Sequence, residues 1–363
     1  MKQILCIASE PWSSSPGRTQ QLMSRMRDVH ILYFYPAESR TDHAYRAKGQ
    51  KVRPNVTAYA LPPILLSVGE RHRLFFRAGW KKLGRFIEEK AAYHRFRSPL
   101  LWTTSPRHVH LLDLLSYDGL VYDCDREWDE LPLDWEGSLA HAADVVFAAS
   151  PTLRRRLEPC SANIALLPNG VNYPLFASQS PGPRPDPLPQ VQGPLFGWSG
   201  AIKENLDLSP LVYAAETNPQ WNFLLLGQEE DNHALPRLRK LPNVILPGPC
   251  SLVEVPDWLY RCDVLLEFLQ ADRADDGVVS PRVYEYLSTG KPVVAMLWPD
   301  QVETFPDVIY GAHDRREFTL ACRHALEEPE GFVYARRKAH GAAADWPIRA
   351  GEVMRILNTA GLL

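Results

Sequence analysis

The sequence lacks any long hydrophobic run, although 45% of its 363 residues are apolar. No stretch approaches the roughly 20 consecutive apolar residues that cross a bilayer. The apolar run at residues 4–8 is short and gives way to polar residues, which predicts a first β-strand and not a signal peptide. We therefore expect a globular protein without a membrane-spanning segment.

Cysteine is scarce and irregularly spaced. The six cysteines form no C-x-x-C pair, a pattern that favours reduced thiols over a disulfide framework. We therefore expect a cytoplasmic protein. Peripheral attachment to the inner face of a membrane stays open.

The dinucleotide-binding fingerprint G-x-G-x-x-G is missing after the first predicted strand, where residues 13–18 are SSSPGR. Its absence counts against NAD or FAD as a ligand. In doubly wound parallel sheets this first loop lies at the carboxyl edge, where ligands bind. We therefore expect this loop to contact a ligand, but not NAD or FAD.

Short apolar runs alternate with helical patterns through both halves of the chain. Strand-sized runs separated by helix-sized spacers predict parallel α/β sheets, and 363 residues suffice for two domains. Residues 173–194 contain seven prolines, which predicts a semi-rigid linker. We expect domains at 1–172 and 195–344, with a last helix at 345–363 that packs back toward the first domain.

A basic amphipathic pattern covers residues 70–97, which include nine Lys and Arg among large apolar side chains. Such a helix can lie on an anionic membrane. It can equally pack inside a domain with its exposed side basic. The sequence leaves both interpretations open.

Two aspartates, Asp123 and Asp125, stand at the end of a predicted strand. This D-x-D spacing is the metal signature of one class of sugar-nucleotide enzymes, but the sequence suggests no third ligand. Contacts with acceptor hydroxyls or capping of the next helix are the favoured roles.

The stretch 278–296, VVSPRVYEYLSTGKPVVAM, predicts a helix, a turn and a buried strand. Ser280 is the expected N-cap, Pro281 occupies the first helical position and Gly290 ends the helix. The apolar run that follows is typical of a strand covered on both faces.

Arg282 and Glu285 are three residues apart and are therefore expected on one face of this helix, away from the core. An arginine at a helix N-terminus, with a carboxylate one turn further on, suits a ligand with phosphates at one end and sugar hydroxyls behind them. The alternative is a solvated ion pair on an ordinary helix.

Glycines follow or end predicted strands at positions 200, 227 and 248, and Lys203 lies shortly after the first of them. A glycine there lets the backbone approach a ligand closely, and a lysine can contact phosphate. Their joint placement at strand carboxyl ends favours a ligand site.

Five segments and the proline-rich stretch together resemble GT-B glycosyltransferases of the group-1 type, including those of bacterial teichuronic-acid and exopolysaccharide assembly. These segments are LLPNGVN, LFGWSGAIKENLD, WNFLLLGQ, NVILPGPCSLVEVPDWLYRCDVLLEFL and SPRVYEYLSTGKPVVA. The resemblance implies an α/β fold with two Rossmann-like domains facing across a cleft. The carboxy-terminal domain would hold a nucleotide-sugar donor and the amino-terminal domain the acceptor.

The resemblance also implies roles for individual residues. Glu285 would bind the ribose hydroxyls, and Gly200, Lys203 and Arg282 would lie by the diphosphate. The remaining donor-side candidates are Ser280 at the helix start, the segment from Pro249 to Leu252 beside the base, and Asp276 near the sugar. The amino-terminal candidates for catalysis are Arg18, Asp123 and Asp125.

Three positions depart from the family pattern. Gly277 stands where relatives carry a sugar-contacting glutamate, and Ala201 stands where they carry an arginine. Asp125 occupies a strand end where relatives often have a histidine. We therefore expect phosphate binding that differs in detail from that of the family.

The function that the resemblance implies is sugar transfer from a UDP- or GDP-linked donor to a glycan or lipid-linked acceptor. A retaining reaction without a metal or other cofactor is expected, with Asp125 or Asp123 as base if the enzyme inverts instead. The expected partners include no nucleic acid. The alternatives are a sugar-nucleotide epimerase on the same fold and a non-catalytic nucleotide-sugar-binding protein.

Overall fold

The computed structural model describes residues 2–13, 15–37, 39, 41, 43, 46–64, 73–178, 190–269, 277–296, 305, 307–329 and 331–363. The chain divides into two compact units. Unit 1 comprises Met1–Pro168 and Trp346–Leu363, and unit 2 comprises Asn169–Asp345. Each unit contains one twisted sheet of mainly or entirely parallel strands, which confirms the predicted α/β fold class.

Unit 1 contains an eight-stranded sheet in the order β3-β4-β2-β1-β5-β6-β7-β8. Its strands are β1 (Lys2–Ile7), β2 (Val29–Pro36), β3 (Gln50–Arg53), β4 (Val56–Leu61), β5 (Leu100–Thr103), β6 (Gly119–Cys124), β7 (Val145–Ala148) and β8 (Ile164–Leu166). Its described helices are α1 (Arg18–Met23), α2 (Arg73–Tyr93), α3 (Leu133–Ala142), α4 (Pro151–Leu157), α12 (Trp346–Thr359) and a 3-10 helix over Pro106–Leu114.

The central strands of unit 1 are largely buried, as is typical of a sheet that is covered on both faces. Every residue of β6, for example, is buried. The carboxy-terminal helix α12 belongs to this unit, since Trp346, Val353 and Leu357 are buried in the same core as β1 and β2. One pairing differs from the expected parallel pattern: β3 runs antiparallel to β4, because only two residues connect the two strands.

Unit 2 contains a six-stranded, fully parallel sheet in the order β11-β10-β9-β12-β13-β14. Its strands are β9 (Leu195–Ser199), β10 (Asn222–Leu226), β11 (Val244–Gly248), β12 (Val264–Glu267), β13 (Val293–Met296) and β14 (Tyr310–Ala312). Its described helices are α5 (Tyr173–Phe176), α6 (Ser209–Thr217), α7 (Leu235–Leu238), α8 (Val255–Leu259), α9 (Pro281–Thr289), α10 (Arg315–Leu326) and α11 (Tyr334–Ala343).

The first residues of the predicted linker are helical. Phe176 of α5 is buried in the core of unit 2, and the carboxylate of Asp345 accepts a hydrogen bond from the backbone N–H of Tyr173 at 3.1 Å. This part of 173–194 is therefore anchored to unit 2 by packing. Residues 179–189 of the predicted linker lie outside the described residues.

The order of strands creates one switch point in each sheet. In unit 1, β1 lies between β2, the next strand in the sequence, and β5. In unit 2, β9 lies between β10, the next strand in the sequence, and β12. Connections leave the sheet in opposite directions on the two sides of such a strand pair. This opens a crevice outside the strand carboxyl ends, where ligands bind in open α/β sheets.

Helix α2 packs its apolar side against unit 1, with Phe76, Trp80, Leu83 and Ile87 buried. Its opposite side is exposed and carries four cations: Arg77, Lys81, Lys82 and Arg85. The apolar side is thus occupied by packing within unit 1, and contact of the exposed basic side with an anionic membrane stays a prediction. Within the described ranges, no helix is both long enough and apolar enough to cross a membrane.

Candidate active site

The switch point of unit 2 is occupied by side chains of helix α9. Strand β9 ends at Ser199, β12 ends at Glu267, and α9 begins over the same edge of the sheet. The hydroxyl of Ser280 accepts a hydrogen bond from the N–H of Arg282 at 3.3 Å, and Gly290 ends the helix at φ +81°. The predicted N-cap and C-terminal glycine are both confirmed. The helix start therefore brings Arg282 to the ends of β9 and β12.

The guanidinium group of Arg282 is held on three sides. Its Nε and Nη2 donate to the carboxylate of Glu267 at 3.0 Å and 2.9 Å, and its Nη1 donates to the carbonyl of Ser199 at 3.3 Å. The guanidinium also lies over the ring of Trp198, 4.8 Å from its centre. A bidentate pair of this kind fixes the plane of the cation.

The predicted location of Arg282 on a helix face away from the core was wrong. The Arg282 side chain is only 16% exposed, and its ion-pair partner is Glu267 and not Glu285. The reason is that Glu267 ends a strand whose other residues are apolar and buried. A carboxylate in that position needs a cation close by, and the first turn of α9 supplies one.

The backbone of Ser199 is held on both sides by residues of α9. The backbone N–H of Ser199 donates to the hydroxyl oxygen of Tyr286 at 3.0 Å, while its carbonyl accepts from Arg282. Tyr286 is fully buried, and burial raises the pKa of its hydroxyl. Helix α9 and the end of β9 therefore form one rigid surface.

Glu285 lies one turn after Arg282 and is half-buried. Burial raises the pKa of Glu285 to about 7; the negative charge of Glu267 adds to this effect and Arg282 opposes it. Within the described part of the chain, no side chain or backbone group donates a hydrogen bond to its carboxylate. The group is thus available to accept hydrogen bonds from a ligand.

Glycine is required at two strand ends for packing reasons. Gly200 has φ +153°, and a Cβ there would collide with Nη1 of Arg282. Gly227 has φ +154°, and a Cβ there would collide with the carbonyl of Gly200. The sequence predicted that such glycines give a ligand access to the backbone; in the structure they first of all let Arg282 and the neighbouring loop approach.

Three other predicted donor-side residues lie at the surface of unit 2. Lys203 is exposed in the turn after β9, where its carbonyl accepts a hydrogen bond from Asn232 at 2.6 Å. Pro249 and Leu252 are exposed in the loop between β11 and α8. Asp276 lies outside the described residues.

The three amino-terminal candidates lie close to one another in unit 1. Arg18 is the first residue of α1 and not a loop residue, and its Nη2 and Nε donate to the carboxylate of Asp123 at 2.8 Å and 3.1 Å. Asp123 has no exposed surface. Asp125, which follows β6, is half-buried. The pair therefore anchors α1 to the end of β6.

Three residues of the unit 2 cluster were missed by the sequence-based predictions: Glu267, Trp198 and Tyr286. A charged residue inside the apolar run VLLEF was the signal that could have found Glu267, since buried charges are paired. No sequence signal indicated the roles of Trp198 and Tyr286, because buried aromatic residues are also expected in any hydrophobic core.

Among the residues that the structure describes, no three His, Cys, Asp or Glu side chains lie together in an arrangement that could hold a metal ion. All six cysteines are free thiols.

Comparison with known proteins supports the predicted resemblance. No protein-family profile matches the sequence. The chain is 26% identical to the proposed teichuronic acid biosynthesis glycosyltransferase TuaH of Bacillus subtilis, over 91% of this chain and 92% of that protein.

The fold matches solved GT-B glycosyltransferases over the whole chain. The sucrose-phosphate synthase of Thermosynechococcus elongatus superposes with a TM-score of 0.77 at 18% identity, covering 99% of this chain and 100% of the other. The HepE protein of Anabaena, solved in complex with UDP and glucose, superposes with a TM-score of 0.68 at 15% identity, again over 99% and 100%. The chain thus has the GT-B fold and a full-length glycosyltransferase relative, and together these findings support a glycosyltransferase of the GT-B kind.

Proposed function

We propose that this protein transfers a sugar from a nucleoside-diphosphate sugar to a glycan or lipid-linked acceptor. The observation that carries the proposal is the cluster at the switch point of unit 2. It combines an oriented arginine at a helix N-terminus with a carboxylate one turn further on, and that carboxylate has no hydrogen-bond donor among the described residues. HepE, which shares the fold, has been solved with UDP and glucose bound.

Arg282 is the proposed phosphate ligand. A guanidinium group has five N–H donors, and the hydrogen bonds to Glu267 and Ser199 use three of them. The positive end of the α9 dipole adds to the attraction for an anion. The same groups would stabilise the charge that develops on the departing nucleoside diphosphate.

Glu285 is the proposed ribose ligand. Its ionised carboxylate would accept hydrogen bonds from the two ribose hydroxyls, a role that requires the proton to be lost. Because burial raises the pKa of Glu285 to about 7, ligand binding would draw the group into its ionised form.

We further propose that the reaction retains the anomeric configuration and needs no metal. In that case the phosphate oxygen accepts the proton of the acceptor hydroxyl. If the product is inverted instead, Asp125 is better suited as the base than Asp123, because Asp123 is fully buried and paired with Arg18. The anomeric configuration of the product decides between these routes.

The first test is a thermal-shift screen with UDP and GDP. Ligand at 100 times its Kd stabilises a protein by about 2.7 kcal/mol, so one of the two nucleotides should raise the Tm clearly. The shift should be lost in Glu285→Gln and kept in Glu352→Gln, a control on helix α12 of unit 1. Absence of a shift with both nucleotides would contradict the proposal.

The second test separates the transferase from its two rivals. Incubation of a bound nucleotide sugar without acceptor should give at most slow hydrolysis. Interconversion of the sugar under these conditions would indicate an epimerase. Failure to turn over any donor that binds, in the presence of glycan and lipid-linked acceptors, would favour a non-catalytic binder.

A further inference from the structure

The start of helix α9 is held by a side chain from a distant part of the chain. Asn169, which lies shortly after β8, is 6% exposed, and its Nδ2 donates a hydrogen bond to the backbone carbonyl of Val279 at 2.9 Å. Val279 is also buried and directly precedes Ser280, the N-cap of α9. Because buried carbonyls need a donor, this contact fixes the point at which the helix begins.

The Val279 carbonyl is separated from Arg282 by only two residues. Of these, Ser280 caps the helix and Pro281 has a fixed φ, so the first turn has little freedom to adjust. The guanidinium of Arg282 keeps its place only while that turn stays over the ends of β9 and β12. A displaced Val279 therefore displaces Arg282, and a binding group loses much of its effect when it is misplaced by about 1 Å.

Asn169 belongs to a segment in which the two ends of unit 2 meet. The unit begins at Asn169 and ends at Asp345. The backbone N–H of Val171 donates to the carbonyl of Ala344 at 2.9 Å. The backbone N–H of Tyr173 donates to the carboxylate of Asp345 at 3.1 Å. The first and last residues of the unit therefore form one hydrogen-bonded piece, to which Asn169 attaches the start of α9.

Helix α11 attaches the other end of α9 to the same piece. A Cβ at Gly341 of α11 would collide with Ser288 near the end of α9. Likewise, a Cβ at Gly290 would collide with the ring of Tyr334 at the start of α11. The two helices therefore pack closely, and α11 leads directly into Ala344. Since α9 is held near both ends, loss of the Asn169 contact would release its start while its end stayed in place.

We propose that Asn169 is a positioning residue for the nucleotide-binding cluster, and that it holds the Val279 carbonyl so that the first turn of α9 presents Arg282 to the diphosphate. The inference rests on the proposed function, in which Arg282 is the phosphate ligand. The alternative is a buried amide that stabilises the fold and has no influence on the ligand. The two roles differ in one measurable respect, because only a positioning residue changes the nucleotide affinity of the folded protein.

The test compares Asn169→Ala with Asn243→Ala. Asn243 is also 6% exposed, and its Nδ2 donates to the backbone carbonyls of Ala215 and Trp221 at 3.0 Å and 2.9 Å. It directly precedes β11, at the opposite edge of the same sheet from the start of α9. Both variants lose a buried amide and should have a lower Tm. Isothermal titration calorimetry of the full chain with UDP or GDP, whichever the thermal-shift screen selects, should show at least a tenfold loss of affinity in Asn169→Ala and less than a twofold loss in Asn243→Ala.

Two outcomes of this comparison would overturn the inference. Wild-type affinity in a less stable Asn169→Ala would leave the residue with a structural role alone. Equal losses of affinity in the two variants would show that affinity merely follows stability.

Asn169→Asp provides a second readout that a structural role alone would not move. A protonated carboxyl can donate to the Val279 carbonyl as the amide does, whereas an ionised one cannot, and burial favours the protonated form. The nucleotide affinity of Asn169→Asp, divided by that of the wild type at the same pH, should therefore increase at least threefold from pH 8 to pH 5. The division cancels the titration of the nucleotide and of Glu285. A ratio that does not change with pH would contradict the role of the donated hydrogen bond.

The wild-type arm separates this inference from the proposed function. Binding of UDP or GDP by the wild type, together with unchanged affinity in the Asn169 variants, would overturn only the positioning role. A wild type that binds neither nucleotide would overturn the proposed function and, with it, the role of Asn169.

Discussion

Among single residues, Arg282 and Glu267 matter for both nucleotide binding and stability, because they form a buried ion pair. Glu267 is 6% exposed and is held by two hydrogen bonds from one guanidinium group. Removal of the arginine therefore leaves a buried carboxylate without its partner, which is costly, whereas replacement of both residues by apolar ones removes the need for pairing.

Arg282→Ala should lower the free energy of unfolding by about 3–5 kcal/mol and abolish the thermal shift with nucleoside diphosphate. The double variant Arg282→Met/Glu267→Leu should regain most of the stability without regaining the nucleotide response. Chemical denaturation and the thermal-shift assay measure the two effects. As a control, Arg237→Ala breaks an exposed pair with Glu216 and should cost no more than about 1 kcal/mol. Nucleotide binding by the double variant would contradict the assignment of Arg282 to phosphate.

The raised pKa of Glu285 leads to a prediction about the pH dependence of stability. The pKa rises from 4.5 to about 7 on folding, so the folded state favours the protonated form. The carboxylate therefore costs the protein stability as the pH rises from about 4.5 through 7, and the cost is complete above 7. Glu285→Gln should have the same stability as the wild type near pH 4.5 and be more stable at pH 8, by on the order of 3 kcal/mol at most. Urea denaturation at the two pH values measures this, and a less stable variant at pH 8 would exclude the proposed cause.

The same carboxylate predicts the pH dependence of donor binding. If the ionised form accepts the ribose hydroxyls, the affinity for the nucleotide sugar should increase roughly tenfold between pH 6 and pH 8, as the ionised fraction of a group with a pKa near 7 increases. The diphosphate of a nucleotide sugar does not titrate in this range and is therefore the suitable ligand for calorimetry. The effect should be missing in Glu285→Gln if that variant retains measurable binding; a flat profile in the wild type would contradict the assignment.

At the scale of elements, helix α9 and the end of β9 act as one piece. Ser280 fixes the start of the helix, Tyr286 and Arg282 hold the backbone N–H and carbonyl of Ser199, and Gly200 leaves room for the guanidinium. The function proposed for Arg282 therefore depends on a glycine in a different element.

Gly200→Ala should displace Arg282 and reduce nucleotide affinity, because the new Cβ would collide with Nη1 and the residue would keep a φ of +153° that L-residues rarely adopt. We expect a loss of stability of about 1–3 kcal/mol. The matched control is Gly351→Ala at an exposed position of helix α12, where a Cβ meets no atom within 4 Å and the change should stabilise the protein by up to about 1 kcal/mol. Calorimetric unfolding measures the stability of the two variants, and the thermal shift with nucleotide measures their affinity. Unchanged nucleotide affinity in Gly200→Ala would show that the orientation of Arg282 does not matter.

At the scale of the whole molecule, the exposed basic side of α2 is the surface suited to an anionic membrane. Each lysine or arginine near such a surface contributes about 1 kcal/mol of attraction. The exposed Phe75 on the same helix adds an apolar group.

Lys81→Glu/Lys82→Glu should reduce binding to vesicles that contain phosphatidylglycerol at least tenfold, with little effect on the Tm. The control Lys240→Glu/Arg316→Glu changes the charge equally at exposed positions of unit 2 and should leave binding in place. Co-sedimentation at low and high salt measures the effect, since salt screens surface attraction. Equal binding of the wild type to neutral and anionic vesicles would rule out the membrane surface as a partner.

Local patterns in the sequence specify the fold class and the helix, turn and strand of residues 278–296. Alternating strand-sized and helix-sized patterns predicted parallel α/β sheets, and local chemistry at Ser280, Pro281 and Gly290 located helix α9, because caps and breakers act within a few residues of the chain. The segments that carry the family resemblance are likewise continuous in sequence. Such signals need no knowledge of the packed structure.

Which side chains meet depends on the packing of elements that lie far apart in the sequence. Arg18 pairs with Asp123 across 105 positions, and Arg282 pairs with Glu267 and not with Glu285 on its own helix. The physical reason is that a buried charge takes the partner that the packing of sheet and helix brings to it, and sequence spacing reports only neighbours within one element.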